Sequence, residues 1–262
     1  MSINSGMKTI IRHFNRSTLL LLHPLALALI IMSDYPMFIL ISGIVVSYLL
    51  RIIVLTAIYH RLFAHHVFEP EDWVPNVGTI LGFIIFMPPP QSFYAEHSAH
   101  HIYVDTVDDA LHPSKSFLIR FLPFLVPKEE TTRKEVTQLK FEYKRKYENK
   151  NTWSKKFNLE FRMITIILAY TIFYIIDPVL FSIMVVSTSL IHLSAYLLAV
   201  LPHNNIDTLG NAYTSNHPVL VYLMWSVDYY HADHHKNPRS LDIGPRPVAQ
   251  SLKYIIKLLS KS

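Results

Sequence analysis

Eight of the chain's 15 histidines fall into three short strings, and these residues have the clearest capacity for chemistry. The strings are HRLFAH at residues 60–65, HSAHH at residues 97–101 and HADHH at residues 231–235. On a helix, positions i, i+3 and i+4 lie on one face, so the imidazoles of each HxxHH string can point at one small volume. Neutral imidazole binds Fe, Zn and Cu well, and the pattern therefore predicts a transition-metal site.

The number of histidines indicates more than one metal, because eight imidazoles exceed the coordination of a single ion. His60 and His65 are five residues apart, about 140° around an α-helix, so they require either two different metals or a helix that ends between them. Isolated histidines such as His13, His23 and His112 are more simply explained as surface or hydrogen-bonded residues. Three strings in one chain are not explained in that way.

Several other metal chemistries lack their residues in this sequence. There is no HExxH string of the kind found in zinc proteases, and no Glu-x-x-His pattern of the kind found in carboxylate-bridged di-iron bundles. The chain has no cysteine, which removes zinc fingers, iron–sulfur clusters, thiol catalysis and disulfides. The sequence therefore favours oxygen activation at a pair of metals held by histidine alone.

The rest of the sequence has the composition of a membrane protein. It is 51% hydrophobic, and its apolar runs approach or exceed the roughly 20 residues that a helix needs to cross the hydrocarbon core. The runs pair into hairpins at about 17–58 and 161–201, with turns at 33–36 and at Asp177-Pro178. This predicts an all-α membrane protein of one domain, 1–262, with four transmembrane helices in two hairpins.

Basic residues set the predicted orientation, because Lys and Arg near membrane segments stay on the cytoplasmic side. The two hairpin turns contain none, whereas the N-terminal arm, the central loop and the C-terminal tail contain many. We therefore expect both termini in the cytoplasm, and residues 59–160 and 202–262 forming a cytoplasmic helical cap that holds the histidine strings. The membrane would be the bacterial inner membrane or the endoplasmic reticulum. Since the basic residues lie between apolar runs, the net charge of +5 does not predict nucleic-acid binding.

Three features of the apolar and central segments need separate interpretation. Residues 73–90 are apolar but contain two glycines and three consecutive prolines, so they predict an interfacial or re-entrant segment. Arg51 lies within the second apolar run, where a charge is costly unless it faces the protein interior. Residues 129–147 predict an amphipathic helix on the membrane surface or on the protein, with apolar residues at helical spacing: Val136, Leu139 and Tyr143.

The histidine strings and spans resemble the membrane fatty acid desaturase family, in particular its acyl-CoA desaturases related to stearoyl-CoA desaturase. The likeness covers most of the chain. It includes HxxxxH at the end of the second span, HxxHH after the interfacial segment, two further spans and a last HxxHH. His60-Arg61-Leu62 also matches the family's usual opening of the first string, and Glu96 matches the acid directly before the second.

The resemblance implies nine histidines that hold two irons, the ninth near the cytoplasmic end of the fourth span. His203 follows the end of that span and lies 28 residues before His231, close to the family's separation, whereas His192 falls near mid-membrane. We therefore predict His203 as the ninth ligand and interpret His192 as a helix-packing hydrogen bond. The predicted metal ligands are His60, His65, His97, His100, His101, His203, His231, His234 and His235.

The sequence departs from the family pattern in two places. Ala199 stands where the family has Asn one helical turn before the ninth histidine, so a water-mediated metal contact would be lost. The last string usually reads HNxHH after Gly-acid-Gly-aromatic, but here VDYY at residues 227–230 precedes HADHH. Asp228 keeps the acid, and we expect Asp228 and Glu96 to accept ring N–H groups so that the other ring nitrogens face iron.

The implied reaction is the introduction of a cis double bond into a fatty acyl chain, carried as a thioester or in a membrane lipid, with O2 as co-substrate. Related di-iron hydroxylases, ketolases and decarboxylases share the strings, while a non-enzymatic metal-binding or transport protein would place ligands along a path across the membrane. No catalytic acid or base is expected beyond the iron ligands. The chain has no dinucleotide-binding glycine fingerprint and no haem-attachment string, so its electrons must come from a b-type cytochrome or a ferredoxin with its reductase.

Overall fold

The computed structural model describes residues 21–109, 111–115, 130–143, 145 and 159–261, and this part of the chain is mostly helical. The N-terminal arm with His13, the first residues of the predicted first span and most of the basic central loop lie outside the described residues. The helices that bear on the site are α1 (Leu21–Ile31), α2 (Met37–Ile53), α3 (Val74–Ile84), α4 (Pro90–Tyr103), α5 (Glu130–Tyr143), α6 (Leu159–Ile176) and α7 (Pro178–Val200).

The apolar helices begin and end close to where the apolar runs predicted them. Pro36 precedes the first residue of α2, and Pro178 opens α7, because proline is tolerated in the first turn of a helix but not in its interior. The carboxylate of Asp177 caps α7 by accepting the N–H of Val179 at 2.7 Å. The hydroxyl of Tyr35 donates to Asp177 at 2.6 Å, so the two hairpin turns meet at one end of the bundle.

Among the described residues, two helices are long and apolar enough to cross a membrane by length and composition, Met37–Ala64 and Pro178–Val200. The shorter helices α1 and α3 are also apolar. Large apolar side chains on both long helices are exposed, which is typical of helices that contact lipid.

Within the first of these long helices, α2 continues without a break into wider, π-helical turns over Val54–Ala64. All of these residues are buried, and α3, α4 and the C-terminal helix pack around them. The π-helical segment carries the first histidine string and forms the centre of the largest apolar cluster. The core of the fold therefore lies directly beside the predicted metal ligands.

Gly82 of α3 allows the π-helical segment to pack closely. The ring of Tyr59 is fully buried, and a Cβ atom at position 82 would lie 2.1 Å from its Cε2 atom. We expect Gly82→Ala to destabilise the fold by about 1–3 kcal/mol, because overpacking forces backbone or rotamer shifts. Thermal unfolding in detergent measures the effect. Gly43→Ala is the matched control, because its Cβ would meet only the flexible end of Ile183 at 2.9 Å; equal shifts for the two variants would contradict this account.

Arg51 is buried between α2 and α7, as predicted for a charge in an apolar run. Its guanidinium donates to the hydroxyl of Thr188 at 3.1 Å and to the carbonyl oxygen of Ser47 at 3.0 Å. A third contact reaches the carbonyl oxygen of Met184 at 3.4 Å. These oxygens replace water around the charge, and those of Thr188 and Met184 link α2 to α7.

The predicted amphipathic helix exists as α5, and it lies on the protein. Its buried residues Val136 and Leu139 pack against Ala95 and Ala99 of α4, the helix that carries the second histidine string. Tyr143, the third predicted apolar position, is also buried and contacts Tyr94 at 5.0 Å between ring centroids. The structure thus selects one of the two environments that the spacing left open.

The described part of the chain is mostly helical, as predicted, and contains one short β hairpin in addition. A two-stranded antiparallel hairpin, β1 (Asn205–Ile206) and β2 (Ala212–Tyr213), follows α7 and turns at Gly210, whose φ is +87°. Strands of two residues are too short to produce an alternating pattern that sequence analysis can detect. The chain then forms α8 (Pro218–Leu223), a 3₁₀ turn (Val227–Tyr229), α9 (His231–Lys236) and α10 (Arg246–Leu259).

Candidate metal centre

The structure brings all nine predicted histidines together in two groups, and within each group the candidate ligand atoms lie within 4.8 Å of one another. Hydrogen-bonded or surface histidines do not normally converge in this way. The five-histidine group consists of His60, His65, His97, His101 and His234. The four-histidine group consists of His100, His203, His231 and His235.

Inside the five-histidine group, the Nε2 atoms are spaced as ligands of one metal would be. Nε2 of His60 lies 3.0 Å from that of His97, 3.1 Å from that of His234 and 3.2 Å from that of His65. Nε2 of His101 lies 3.1 Å from those of His97 and His234. Two nitrogens bound about 2.1 Å from one metal and at right angles lie about 3.0 Å apart, so the spacing matches a shared ion.

Hydrogen bonds between the rings do not explain this arrangement. A neutral imidazole has one N–H and one acceptor nitrogen. Nδ1 of His60 faces Oδ1 of Asp228 at 2.9 Å and therefore carries the ring's N–H. Nε2 of His60 then has a single lone pair, and three other ring nitrogens lie close to it. One lone pair cannot accept three hydrogen bonds at once, whereas a cation can bind all four of these nitrogens together.

The two HxxHH strings divide their histidines between the groups in opposite ways. His97 and His101, four residues apart, share the five-histidine group, and the middle histidine, His100, joins the other. In the last string it is the middle histidine, His234, that joins the five-histidine group. The rings of His101 and His235 have centroids 4.2 Å apart, so the two groups adjoin. This arrangement is suited to a pair of neighbouring metals.

His60 and His65 reach the same group because the helix that carries them widens and then ends. The π-helical segment ends at Ala64, between the two histidines, which is one of the two arrangements that the five-residue spacing predicted. The N–H of His65 donates to the carbonyl oxygen of His60 at 3.1 Å, a bond between residues i+5 and i that defines a π turn. Residues five apart therefore stack on one face.

Asp228 holds one histidine of each group. Its Oδ1 lies 2.9 Å from Nδ1 of His60 and 2.8 Å from Nη2 of Arg61, and all three side chains are buried. Its backbone carbonyl faces Nδ1 of His231 at 3.0 Å. Although burial raises the pKa of the Asp228 carboxyl, charge interactions with His60 and Arg61 lower it overall. The ionised carboxylate therefore orients Nε2 of His60 toward the five-histidine group.

Two acids that the sequence pattern did not identify hold members of the four-histidine group. Both carboxylate oxygens of the buried Asp109 lie 3.1 Å from Nδ1 of His100. Nδ1 of His203 donates to the hydroxyl of Thr214 at 3.0 Å, and that hydroxyl donates to Asp105 at 2.8 Å. The run DTVDD at residues 105–109 was the available signal, but its spacing does not show which acid faces the site.

Two ring nitrogens of the four-histidine group are free to bind a metal ion. Nε2 of His100 and Nε2 of His203 are buried and have no hydrogen-bond partner among the residues that the structure describes. An unpaired buried polar atom costs about 1–3 kcal/mol. Because their Nδ1 atoms face Asp109 and Thr214, these Nε2 atoms carry lone pairs, so the residues fit a cation that prefers imidazole.

Burial keeps the rings in the neutral form that binds metals. Burial, followed by charge interactions with His100 and His60, lowers the pKa of His101 to about 3. Burial is also the largest cause that lowers the pKa of six other members: His65, His97, His203, His231, His234 and His235. A metal ion therefore displaces no proton from these nitrogens near pH 7.

The structure separates the two candidates for the ninth ligand. His203 is buried within the four-histidine group. His192 belongs to neither group; its Nε2 lies 2.9 Å from the carbonyl oxygen of Ile85, at the end of α3. The latter contact is the helix-packing hydrogen bond that the sequence analysis predicted for it.

The other residues singled out from the sequence lie apart from the two groups. Glu96 is on the exposed side of α4, so the orienting role predicted for it stays a prediction. His23 and His112 form hydrogen bonds to serine hydroxyls, as expected for isolated histidines.

The fold and the site define a mostly helical, membrane-associated protein with two histidine groups able to hold metal ions. The model of the fatty acid desaturase family matches residues 35–240, which span most of the chain and all nine histidines. The chain therefore belongs to the fatty acid desaturase family and is an oxidoreductase that acts on fatty acids. This confirms the predicted membership of the membrane fatty acid desaturase family. No curated protein matches the chain.

Proposed function

We propose that the chain is an oxygen-dependent di-iron desaturase that introduces a cis double bond into a fatty acyl chain carried as a thioester. The observation that carries the proposal is the pair of adjoining groups with five and four imidazoles. All-imidazole sites suit Fe, Zn or Cu by ligand type, and membership of the desaturase family favours iron. Four imidazoles leave open positions on a six-coordinate ion.

The irons, when bound, would supply an oxidation in which O2, two electrons and two protons take two hydrogens from adjacent methylenes, leaving a double bond and two waters. The chain's own residues hold and orient the ligand rings through Asp228, Asp109 and Thr214. The ring of Phe93 lies parallel to that of His97, with centroids 5.7 Å apart. A fixed site of this kind would determine which bond reacts by positioning the substrate.

We propose that α1, α2, α6 and α7 cross the membrane as two hairpins, with both termini and the histidine-bearing cap in the cytoplasm. The contact between Tyr35 and Asp177 supports this arrangement, because it places both hairpin turns at one end of the bundle. The first histidine string ends the π-helical extension of α2, and His203 follows the end of α7, so the histidines lie at the opposite end.

We propose a b-type cytochrome or a ferredoxin, with its reductase, as the source of electrons, docking on the cytoplasmic side. The same side would receive the acyl carrier or lipid headgroup. The basic residues of the central loop and the tail would attract an anionic carrier by charge.

The test is expression in a host deficient in unsaturated fatty acids, followed by mass analysis of its lipids. We expect a new double bond at one defined position, and none when His100→Ala is expressed at the same level. Hydroxylated, oxo-containing or shortened chains from the unmutated protein would contradict desaturation and favour the related di-iron reactions. Unchanged chains would also contradict desaturation. Metal analysis of the purified protein gives a second measurement: we expect about two irons per chain, whereas weakly held, exchangeable zinc would contradict the di-iron proposal.

A further inference from the structure

The segment at residues 218–225, which we call the α8 segment, combines α8 with the turn that follows it and contains no charged residue. Val219 and Leu223 are each 69% exposed, and Tyr222 and Trp225 are exposed beside them. Val221 points the other way, is fully buried and packs in the cluster that includes α10. The segment therefore has one face on the protein and one apolar face that no described residue covers.

The α8 segment contacts the long helices well inside their ends. The hydroxyl of Tyr48, in the middle of α2, donates to the carbonyl oxygen of Met224 at 3.2 Å and lies 3.3 Å from the hydroxyl of Ser194. Ser194 lies 16 residues after Pro178, the first residue of α7. At about 1.5 Å per residue this is about 24 Å along the helix, within the hydrocarbon core of about 30 Å for a span that starts at Pro178.

The span that contacts the α8 segment also exposes apolar side chains at this level. Leu49 and Leu50, next to Tyr48 on α2, are exposed at the same level. At Trp225 the backbone adopts a φ of +49°, and the N–H of Ser226 then donates to the carbonyl oxygen of Val221 at 3.1 Å. The chain thus reaches down beside the spans, reverses, and returns to the metal centre.

We infer that the α8 segment is inserted into the cytoplasmic leaflet of the bilayer, with Val219 and Leu223 among the acyl chains of lipids. The inference rests on the proposed spans α2 and α7, and it changes the cap from a wholly cytoplasmic layer to one that is partly embedded. Asp228, which holds His60, follows Trp225 by three residues. The residue that orients both histidine groups therefore lies only three residues along the chain from the inserted segment.

The experiment uses the absence of cysteine from the chain, because a single introduced thiol is then the only one that reacts. Leu223→Cys and Val219→Cys are prepared in membrane vesicles with the cytoplasmic face outward and treated with a membrane-impermeant maleimide. The matched control is Leu209→Cys, at the tip of the β1–β2 hairpin and 84% exposed. We expect the two α8 variants to react at least about tenfold more slowly than the control, because their thiols lie in hydrocarbon.

A second control separates this inference from the topology on which it rests. Ile41→Cys lies on α2 and is 54% exposed, so it is protected if α2 crosses the bilayer. Protection of Ile41→Cys together with rapid labelling of Leu223→Cys overturns the insertion and leaves the span intact. Rapid labelling of Ile41→Cys overturns both. Equal labelling of all variants in SDS, with unchanged bound iron beforehand, shows that the differences arise from the folded protein in the membrane.

Discussion

His203→Ala is expected to abolish desaturation and to remove the iron held by the four-histidine group. Nε2 of His203 is buried, has no hydrogen-bond partner among the described residues and lies with the ring nitrogens of His100, His231 and His235. Loss of an outer partner of a ligand alone typically costs about 10–100-fold in affinity or activity, so loss of the ligand itself should exceed about 100-fold in activity. Lipid analysis and iron content of the same preparation measure both effects.

His192→Ala is the control that distinguishes loss of a metal ligand from loss of a buried histidine elsewhere. Both histidines belong to the fourth predicted span or its end, but His192 lies in neither metal group, and its Nε2 faces the carbonyl oxygen of Ile85. Its loss should cost roughly 0.6 kcal/mol, the average for a hydrogen bond between membrane helices, with iron and activity retained. Full activity in His203→Ala, or loss of iron in His192→Ala, would show that the ninth ligand is assigned wrongly. His203→Gln, which preserves polarity and most of the volume, guards against a simple folding defect.

The site was largely predictable because its signal is local. Three strings of histidine at helical spacing need no knowledge of the tertiary fold to be recognised, and the structure places all eight of their members in the two groups. His203 is different, because nothing in its own neighbourhood distinguishes it from His192. Its place after the fourth predicted span and the family's spacing favoured it, and the geometry separates the two residues.

The geometry within the site was not predictable from spacing. An α-helix separates His60 and His65 by about 140°, and nothing in the sequence shows that the turns there widen to π geometry. The acids are a second example. Asp109 and Asp105 act through contacts made by loops. Thr214, which contacts both Asp105 and His203, is 109 residues beyond Asp105 along the chain.

The fold shows the same division between local and long-range information. Length, apolar runs and the prolines at 36 and 178 predicted the apolar helices and the breaks before α2 and α7, because each is a property of one segment. The sequence did not predict the short β hairpin or the contact between the α8 segment and Tyr48. The eight residues of that segment are too few for a spanning run, so composition assigns them to the cap; their depth depends on contacts with two other helices.

Asp228→Asn is expected to lower both the stability of the fold and the affinity for metal, because the Asp228 side chain balances the charge of Arg61 and orients His60. Its carboxylate faces His60 of the five-histidine group and pairs with Arg61, which is fully buried. An amide of the same shape leaves that guanidinium charge without its counter-ion, and breaking a buried pair in this way costs about 3–5 kcal/mol. Metal affinity should fall by about 10–100-fold as His60 loses its orienting partner. Thermal unfolding after chelation measures the first effect, and iron retention measures the second.

Two further variants divide these contributions. Asp109→Asn removes the partner of His100 but breaks no ion pair with arginine or lysine among the described residues, so iron retention should fall while the chelated protein keeps most of its stability. Asp242→Asn removes an exposed pair with Lys253 and should change neither quantity, because surface pairs contribute about 0–1 kcal/mol. If Asp228→Asn lowered the unfolding temperature of the chelated protein no more than Asp109→Asn does, then Arg61 would not depend on Asp228 for its charge balance. The backbone carbonyls of Pro238 and Ser240, which accept hydrogen bonds from Arg61 at 3.0 and 3.1 Å, would then be sufficient to stabilise the buried guanidinium.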